Sequence, residues 1–263
     1  MWNLIKAQNY QLKKDKVTKW LWTLFLGSLV VYFVSYMRNE SLSELRGSDI
    51  PILLGEMNMI IMGIFVILIT ARVMGWDYTD KTLNYELMAG HSRGEVYWSR
   101  VFLSLVLNIV GCAIYLFLPL FIFGVINGWG YTTDMGDIVL RYGLSFLPLF
   151  RLVGECVLLT VLLKNCYMVM IIGYMLYYSS MIIMLVLEPL VDIKWNVQFC
   201  IINLSKLLYM DKCRLQYING EDVQVYQTAL ESELLTSTIG VSLIVGIACL
   251  GLGYLYFKKS DMN

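Results

Sequence analysis

Apolar residues fall along this chain in six long blocks separated by short polar stretches. The blocks lie at 20–37, 53–72, 101–126, 142–163, 165–187 and 234–257. At 1.5 Å of rise per residue, a helix over each is long enough to cross about 30 Å of hydrocarbon. The blocks show none of the period-2 alternation that a membrane β-barrel requires. The pattern therefore predicts an all-α integral membrane protein, with six transmembrane helices in one domain covering residues 1–263. Three polar or mixed stretches accompany the spans. Residues 1–19 place Trp2, Ile5 and Leu12 on one helical face with lysines gathered at the end. That stretch reads either as an amphipathic helix in the inner membrane surface or as a plain positive anchor. Residues 73–100 form a connection between spans two and three. Residues 189–233 form the largest outer segment, in which "WNVQFCIINLSKLLYM" is too short and interrupted for a span. It reads as a helix packed on the outer leaflet or dipping into it, followed by a turn at Asn219–Gly220.

Composition agrees with the membrane reading: 58% of the 263 residues are apolar and 15% charged, against about 45–50% and 25% in soluble domains. The net charge of zero suggests no nucleic-acid partner. The distribution of Lys and Arg sets an orientation. Twelve of the twenty basic residues fall in the segments that share a side with the N-terminus: Lys6, Lys13, Lys14, Lys16, Lys19, Arg72, Lys81, Arg93, Arg100, Lys164, Lys258 and Lys259. Both termini are expected in the cytoplasm of a bacterial cell, with the chain multi-pass in the cell membrane. No cleavable signal peptide is expected, since no short apolar region with a small-residue cleavage site precedes the first span.

Candidate chemistry is sparse. Cys112, Cys156, Cys166 and Cys249 lie within or beside spans and read as small apolar residues. Cys200 and Cys213 share the outer segment and are a candidate disulfide pair. There is one histidine, His91, and no C-x-x-C, so no metal site is expected. Glu56 and Glu188 sit near outer span ends, where headgroups and water are within reach. Arg151 and Glu155 lie in the middle of the fourth span, where each alone costs about 2.5–3.5 kcal/mol on insertion scales. Four residues apart, they share a helical face and can pair. Two readings stand side by side: a polar element of a transport pathway or subunit interface, and a self-neutralising pair that fixes packing. The methionines Met57, Met59, Met62, Met168, Met170 and Met175 suit either an adaptable greasy pathway or ordinary packing.

The stretch "GWDYTDKTLNYELMAGHSRGEVYWSR", 75–100, opens as G-x-x-x-x-D-K-T, one residue from a phosphate-binding loop. The glycine that lets backbone N–H groups approach a phosphate is replaced by Asp80, and a membrane span precedes it, not a buried strand. Nucleotide binding by this chain is therefore not expected. Local signals describe a helix–turn–helix. Thr79 or Asp80 caps a short helix carrying Leu83 and Leu87. Gly90 ends it, and Ser92 with Glu95 forms a capping box from which a second helix runs through Val96, Tyr97 and Arg100 into the third span.

The stretch resembles the cytoplasmic loop of type-2 ATP-binding-cassette exporter permeases. The matching residues are Tyr78, Thr82, Leu83, Gly90, Ser92, Arg93, Tyr97 and Arg100, with Lys81 where that family has glycine. The resemblance implies a permease subunit, not itself an enzyme, whose ATP and magnesium are bound by a separate ATPase subunit present in two copies. A second permease chain, identical or related, would complete the translocation unit. Residues 79–89 would be the coupling helix, with Thr82, Leu83, Glu86, Leu87, Gly90, Ser92 and Arg93 docking the partner. Permeases of this size resemble those serving lantibiotic and bacitracin immunity or peptide export, so an amphipathic peptide is the favoured substrate. Lipid, drug or ion export, an ATP-independent transporter, and a membrane sensor or immunity protein remain alternatives. No H-x-x-x-H, E-E-x-x-x-R or G-x-S-G pattern points to an intramembrane enzyme.

Overall fold

In a computed structural model, residues 1–37, 45–80, 83–187, 199–210, 212–218 and 221–259 are described. Two helices open the chain, α1 (Trp2–Lys14) and α2 (Lys16–Tyr36). They are followed by α3 (Ile50–Thr79), α4 (Leu83–Met88), α5 (Arg93–Ile126), α6 (Met135–Leu163), α7 (Cys166–Leu187) and α8 (Cys200–Leu208). A hairpin of β1 (Lys212–Ile218) and β2 (Glu221–Tyr226) precedes α9 (Ser232–Lys259). Six of these helices, α2, α3, α5, α6, α7 and α9, are long and apolar enough to cross a membrane. The chain is a multi-pass membrane protein. The proximal face carries α1, α4 and the end of α9; the far face carries α8 and the hairpin.

Several helices run past the edges that hydropathy sets. Helix α3 continues through Trp76, Asp77 and Tyr78 to Thr79, and α5 begins at Arg93. The polar turns survive because their side chains are satisfied. Thr79 Oγ1 donates to the Gly75 carbonyl at 3.2 Å, and Asp77 meets Arg100 at 2.7 Å. Thr79 and Asp80 therefore do not cap a second helix as expected; Thr79 is the last residue of α3 and Asp80 its C-cap. The helix expected over 79–89 shrinks to Leu83–Met88.

Helix α3 is the central element, packed by α2, α5, α6, α7 and α8. Within a bilayer the lipid tails are as apolar as leucine, so helices associate through close packing and hydrogen bonds. Both devices are present. Phe25 of α2 stacks on Phe65 of α3 at 3.8 Å between ring centroids and on Tyr115 of α5 at 4.5 Å. Buried Asn108 of α5 donates to Thr70 of α3 at 3.0 Å, and Ser104 donates to the same oxygen at 3.2 Å. Helices α6 and α9 cross at glycines. A Cβ on Gly154 would lie 2.9 Å from the Gly246 carbonyl, and one on Gly246 would lie 3.3 Å from the Arg151 Cα. No larger side chain fits without parting the two spans.

The far-face segment corrects two expectations. Helix α8 is buried against the spans. Ile201, Leu204, Leu207 and Leu208 are buried, and it packs among α3, α6 and α7. Cys200, at its first turn, is a buried free thiol whose Sγ donates to the Pro148 carbonyl at 3.1 Å. The expected Cys200–Cys213 disulfide is therefore not formed: α8 turns Cys200 inward against α6. The all-α reading also omitted the antiparallel hairpin, which pairs Ile218 with Glu221 and Lys212 with Tyr226. Its strands alternate polar and apolar residues over five or six positions, a signal too short to register beside the span-length blocks. The Tyr226 amide reaches the Thr132 carbonyl at 3.2 Å and ties the hairpin to the turn before α6.

Candidate functional site

The proximal face is held by two arginines that the sequence presents only as topogenic charges. Arg100 projects from the first turns of α5 and is buried. Its Nη2 meets Asp77 of α3 at 2.7 Å and Glu86 of α4 at 3.0 Å. Gln8 of α1 donates to the other Glu86 oxygen at 3.4 Å. One guanidinium thus gathers four helices. The fold beneath it follows local rules. Gly90 adopts φ +90°, the left-handed conformation that lets a glycine end α4. The Ser92 hydroxyl accepts from the Glu95 amide at 3.2 Å while Glu95 accepts from the Ser92 amide at 3.1 Å, a reciprocal capping box. Arg93 reaches the Lys258 carbonyl at 2.9 Å, joining the start of α5 to the end of α9.

The residues expected to dock a partner take these places. Leu83 is buried, Leu87 is half-buried, and Glu86 is committed to Arg100. Ser92 and Arg93 hold the turn and α9, and Thr82 lies outside the described residues. The side of α4 open to solvent instead shows Tyr85, 70% exposed, and Met88, 82% exposed. Sequence periodicity marks Leu83 and Leu87 as the apolar stripe but does not say that this stripe faces the protein.

The second arginine, Arg72, lies near the end of α3. Its Nε and Nη2 each approach the Asp15 carboxylate at 2.9 Å, a two-point pair, and its guanidinium lies 3.3 Å from the Trp76 ring centroid. Asp15 is also the N-cap of α2, accepting from the Thr18 amide at 3.0 Å and the Thr18 hydroxyl at 2.7 Å. A single carboxylate therefore sets the corner between α1 and α2 and docks that corner on α3. Burial alone would raise the Asp15 pKa. Hydrogen bonds from Arg72 and Thr18, with the Arg72 charge, outweigh it and bring the carboxyl down from 3.8 to about 2. A depressed carboxyl contributes its stabilisation above the unfolded pKa and loses it as pH falls through the folded one. The α1 corner is expected to stay docked at pH 4 and to open as pH approaches 2, measured as pepsin cleavage within residues 1–19 that appears over this interval. In Asp15→Asn the same cleavage is expected already at pH 4.

Within the membrane, Arg151 donates to Glu155 at 2.7 Å along α6. The pair lines a cleft of about 290 Å³ between α6, α7 and the start of α8, with Tyr177, Ser179 and Ser180 on the α7 wall. Arg151 is buried, whereas the Glu155 side chain keeps 32% of its surface exposed, so the carboxylate is the charge presented. Glu56 does not join them. It lines a separate cavity of about 370 Å³ with Met59, Tyr178 and Tyr209. Glu188 lies outside the described residues. Nor do the methionines form one path: Met59 and Met62 are in the core, while Met168 and Met175 face outward. At the far face Arg141 is buried among main-chain carbonyls, with Thr228 at 2.6 Å, Leu207 at 3.2 Å, Lys206 at 3.3 Å and Gln227 at 3.4 Å. Among the described residues no cluster of three or more metal-ligating side chains is present.

No protein-family model matches this chain, and no curated protein matches it in sequence.

Proposed function

We propose that this chain is the membrane-spanning permease subunit of an ATP-driven exporter, paired with a second permease chain and served by two copies of a separate ATPase subunit that binds ATP and magnesium. The proximal face is then cytoplasmic, in accord with the bias of Lys and Arg. The observation that carries the reading is the construction of α4. It is a short helix fixed on one side through Leu83 and the Glu86–Arg100–Asp77 bridge to two spans, and it shows an aromatic and a methionine, Tyr85 and Met88, to solvent. A push on such a helix is delivered directly to α3 and α5. Charge reversal at Arg93, or proline within 83–87, should break the same linkage and uncouple ATP turnover from export. The cleft at Arg151 and Glu155 is the substrate-facing element on this reading. It combines an apolar wall with a carboxylate, which suits an amphipathic substrate such as a peptide. A second reading, an ATP-independent transporter, draws support from α8, a buried short helix of the kind that interrupted spans contribute to secondary transporters.

The decisive measurement places Tyr85→Asp with Met88→Asp in the full chain at matched membrane level. Two exposed apolar anchors at a partner contact carry about 2 kcal/mol or more together, so affinity for the proposed ATPase subunit should fall by about 30-fold. Export should be lost while insertion is kept. Wild-type export by the double variant, or export indifferent to ATP, would overturn the assignment.

A further inference from the structure

Helix α3 runs for 30 residues, about 45 Å at 1.5 Å each, and so outreaches a hydrocarbon core of about 30 Å. Glu56 stands six residues past its start at Ile50, about 9 Å along the axis. That places it near the boundary between headgroups and acyl chains of the far leaflet. Glu56 is exposed and has no hydrogen bond or ion pair among the described residues. In this it differs from Glu155, which Arg151 holds. An anion left alone at such a depth is costly.

The carboxylate opens on a cavity of about 370 Å³, within the range of about 300–1,000 Å³ usual for small-molecule sites. Among the described residues that line it, Glu56 carries the only charge. Lys206, on the adjoining α8, lines a different cavity, beside Arg141. Local packing shapes the walls. A Cβ on Gly55 would lie 2.7 Å from the Leu208 carbonyl, so the glycine lets the end of α8 close on α3 and bring Ser205 and Tyr209 to the cavity. From α7, the Tyr178 hydroxyl donates to the Ile60 carbonyl at 3.4 Å, and that of Tyr177 to the Met59 carbonyl at 3.1 Å. These contacts fix the α7 wall on α3. The remaining lining is apolar. Ile60 and Met181 are 36% and 41% exposed, so the mouth opens sideways, towards lipid.

Each feature narrows the occupant. A mouth on the lipid side admits an apolar body. The uncompensated carboxylate calls for a positive charge, and the rings of Tyr178 and Tyr209 attract an organic cation. Met59 and Met181 adapt to an irregular apolar shape. A phospholipid is disfavoured, because its phosphate would meet Glu56 with no basic side chain among the described lining. We infer that this cavity binds a small cationic amphiphile, an organic ammonium on an apolar body without a phosphate. The cation lies at Glu56 and the apolar body along Met59, Ile60 and Met181. The site is separate from the cleft at Arg151 and Glu155 and does not rest on the transport reading.

The probe is octyltrimethylammonium, titrated by equilibrium dialysis against the full chain in phosphatidylcholine nanodiscs, with empty nanodiscs as the reference. Wild type should show a single saturable component above that reference. Glu56→Gln keeps the shape and removes the charge, and should weaken binding by about tenfold, equivalent to about 1.4 kcal/mol. Met181→Trp keeps the charge and fills the mouth, and should abolish the saturable component. Both replace exposed side chains and should leave the melting temperature unchanged. Octyl sulfate, with the same chain and an anionic head, should not compete. Absence of saturable binding, equal affinity in wild type and Glu56→Gln, unaltered binding by Met181→Trp, or equal competition by octyl sulfate would overturn the inference. Binding seen in dodecylmaltoside and lost in phosphatidylcholine would overturn it in favour of a phospholipid headgroup.

Discussion

Arg100→Leu is expected to destabilise the chain by about 3–5 kcal/mol, the usual effect of removing one partner from a buried ion pair. The reason lies in what remains. Asp77 and Glu86 keep only 17% and 24% of their side-chain surface, and without Arg100 two like charges face each other across the seam of α3, α4 and α5. Helix α4 should detach first, because its six residues are far too few to hold a helix without tertiary contacts. The measurement is a thermal melt in detergent together with limited proteolysis across residues 80–92, where cleavage should rise at temperatures at which wild type is protected. Arg100→Lys should fall between the two. A single nitrogen, Nη2, serves both carboxylates, and an ammonium can reproduce one donor centre at a shorter reach, while the remaining guanidinium nitrogens, Nε and Nη1, meet no partner among the described residues. A doubly altered chain, Arg100→Leu with Glu86→Leu, should recover part of the loss, since one of the two facing carboxylates is gone. Wild-type melting of Arg100→Leu would show that the carboxylates are satisfied from elsewhere.

Arg141→Leu is the second large expected loss, and it should act on the opposite face. Arg141 sits where α8 ends and where the hairpin returns to α9, and it donates to carbonyls from both stretches: Lys206 and Leu207 on one side, Gln227 and Thr228 on the other. The carbonyls at a helix C-terminus lack intrahelical donors, so the guanidinium satisfies that end of α8 while it pins the segment that follows β2. Hydrogen bonds to a charged group are each worth about 1.5–3 kcal/mol, and burial leaves water no easy access to replace them. Hydrogen exchange should therefore quicken by about two orders of magnitude or more across 200–209 and 225–230, with α3 and α5 unchanged, in keeping with local opening of a small unit. Arg141→Lys should restore only a fraction, because an ammonium cannot span two chain segments as a planar five-donor fork does. Exchange that stays slow in Arg141→Leu would mean that the packing of Ile201, Leu204 and Leu207 alone seats α8.

The number of spans was legible because six apolar blocks of sufficient length have one stable solution in lipid, a helix whose backbone satisfies itself. The capping box at Ser92 and Glu95 and the left-handed Gly90 were legible for the same reason, since each is decided by atoms within four residues. The expected cap at Thr79 or Asp80 failed because α3 runs on past Asp77, which finds a partner 23 residues away in Arg100. The roles of Arg72, Arg100 and Arg141 were invisible for a related reason. Sequence shows a positive charge near a span end, and the orientation rule explains such a charge without asking what it touches. Local chemistry and hydropathy thus determined that this chain has six helices long and apolar enough to cross a membrane, and where the turn at Gly90 and Ser92 falls. Tertiary structure alone decided that Leu83 faces inward and Tyr85 outward, that α8 is buried in the bundle, and that Asp15 joins α1 to α3. Each of those outcomes depends on which distant side chain lies opposite, and no local rule contains that information.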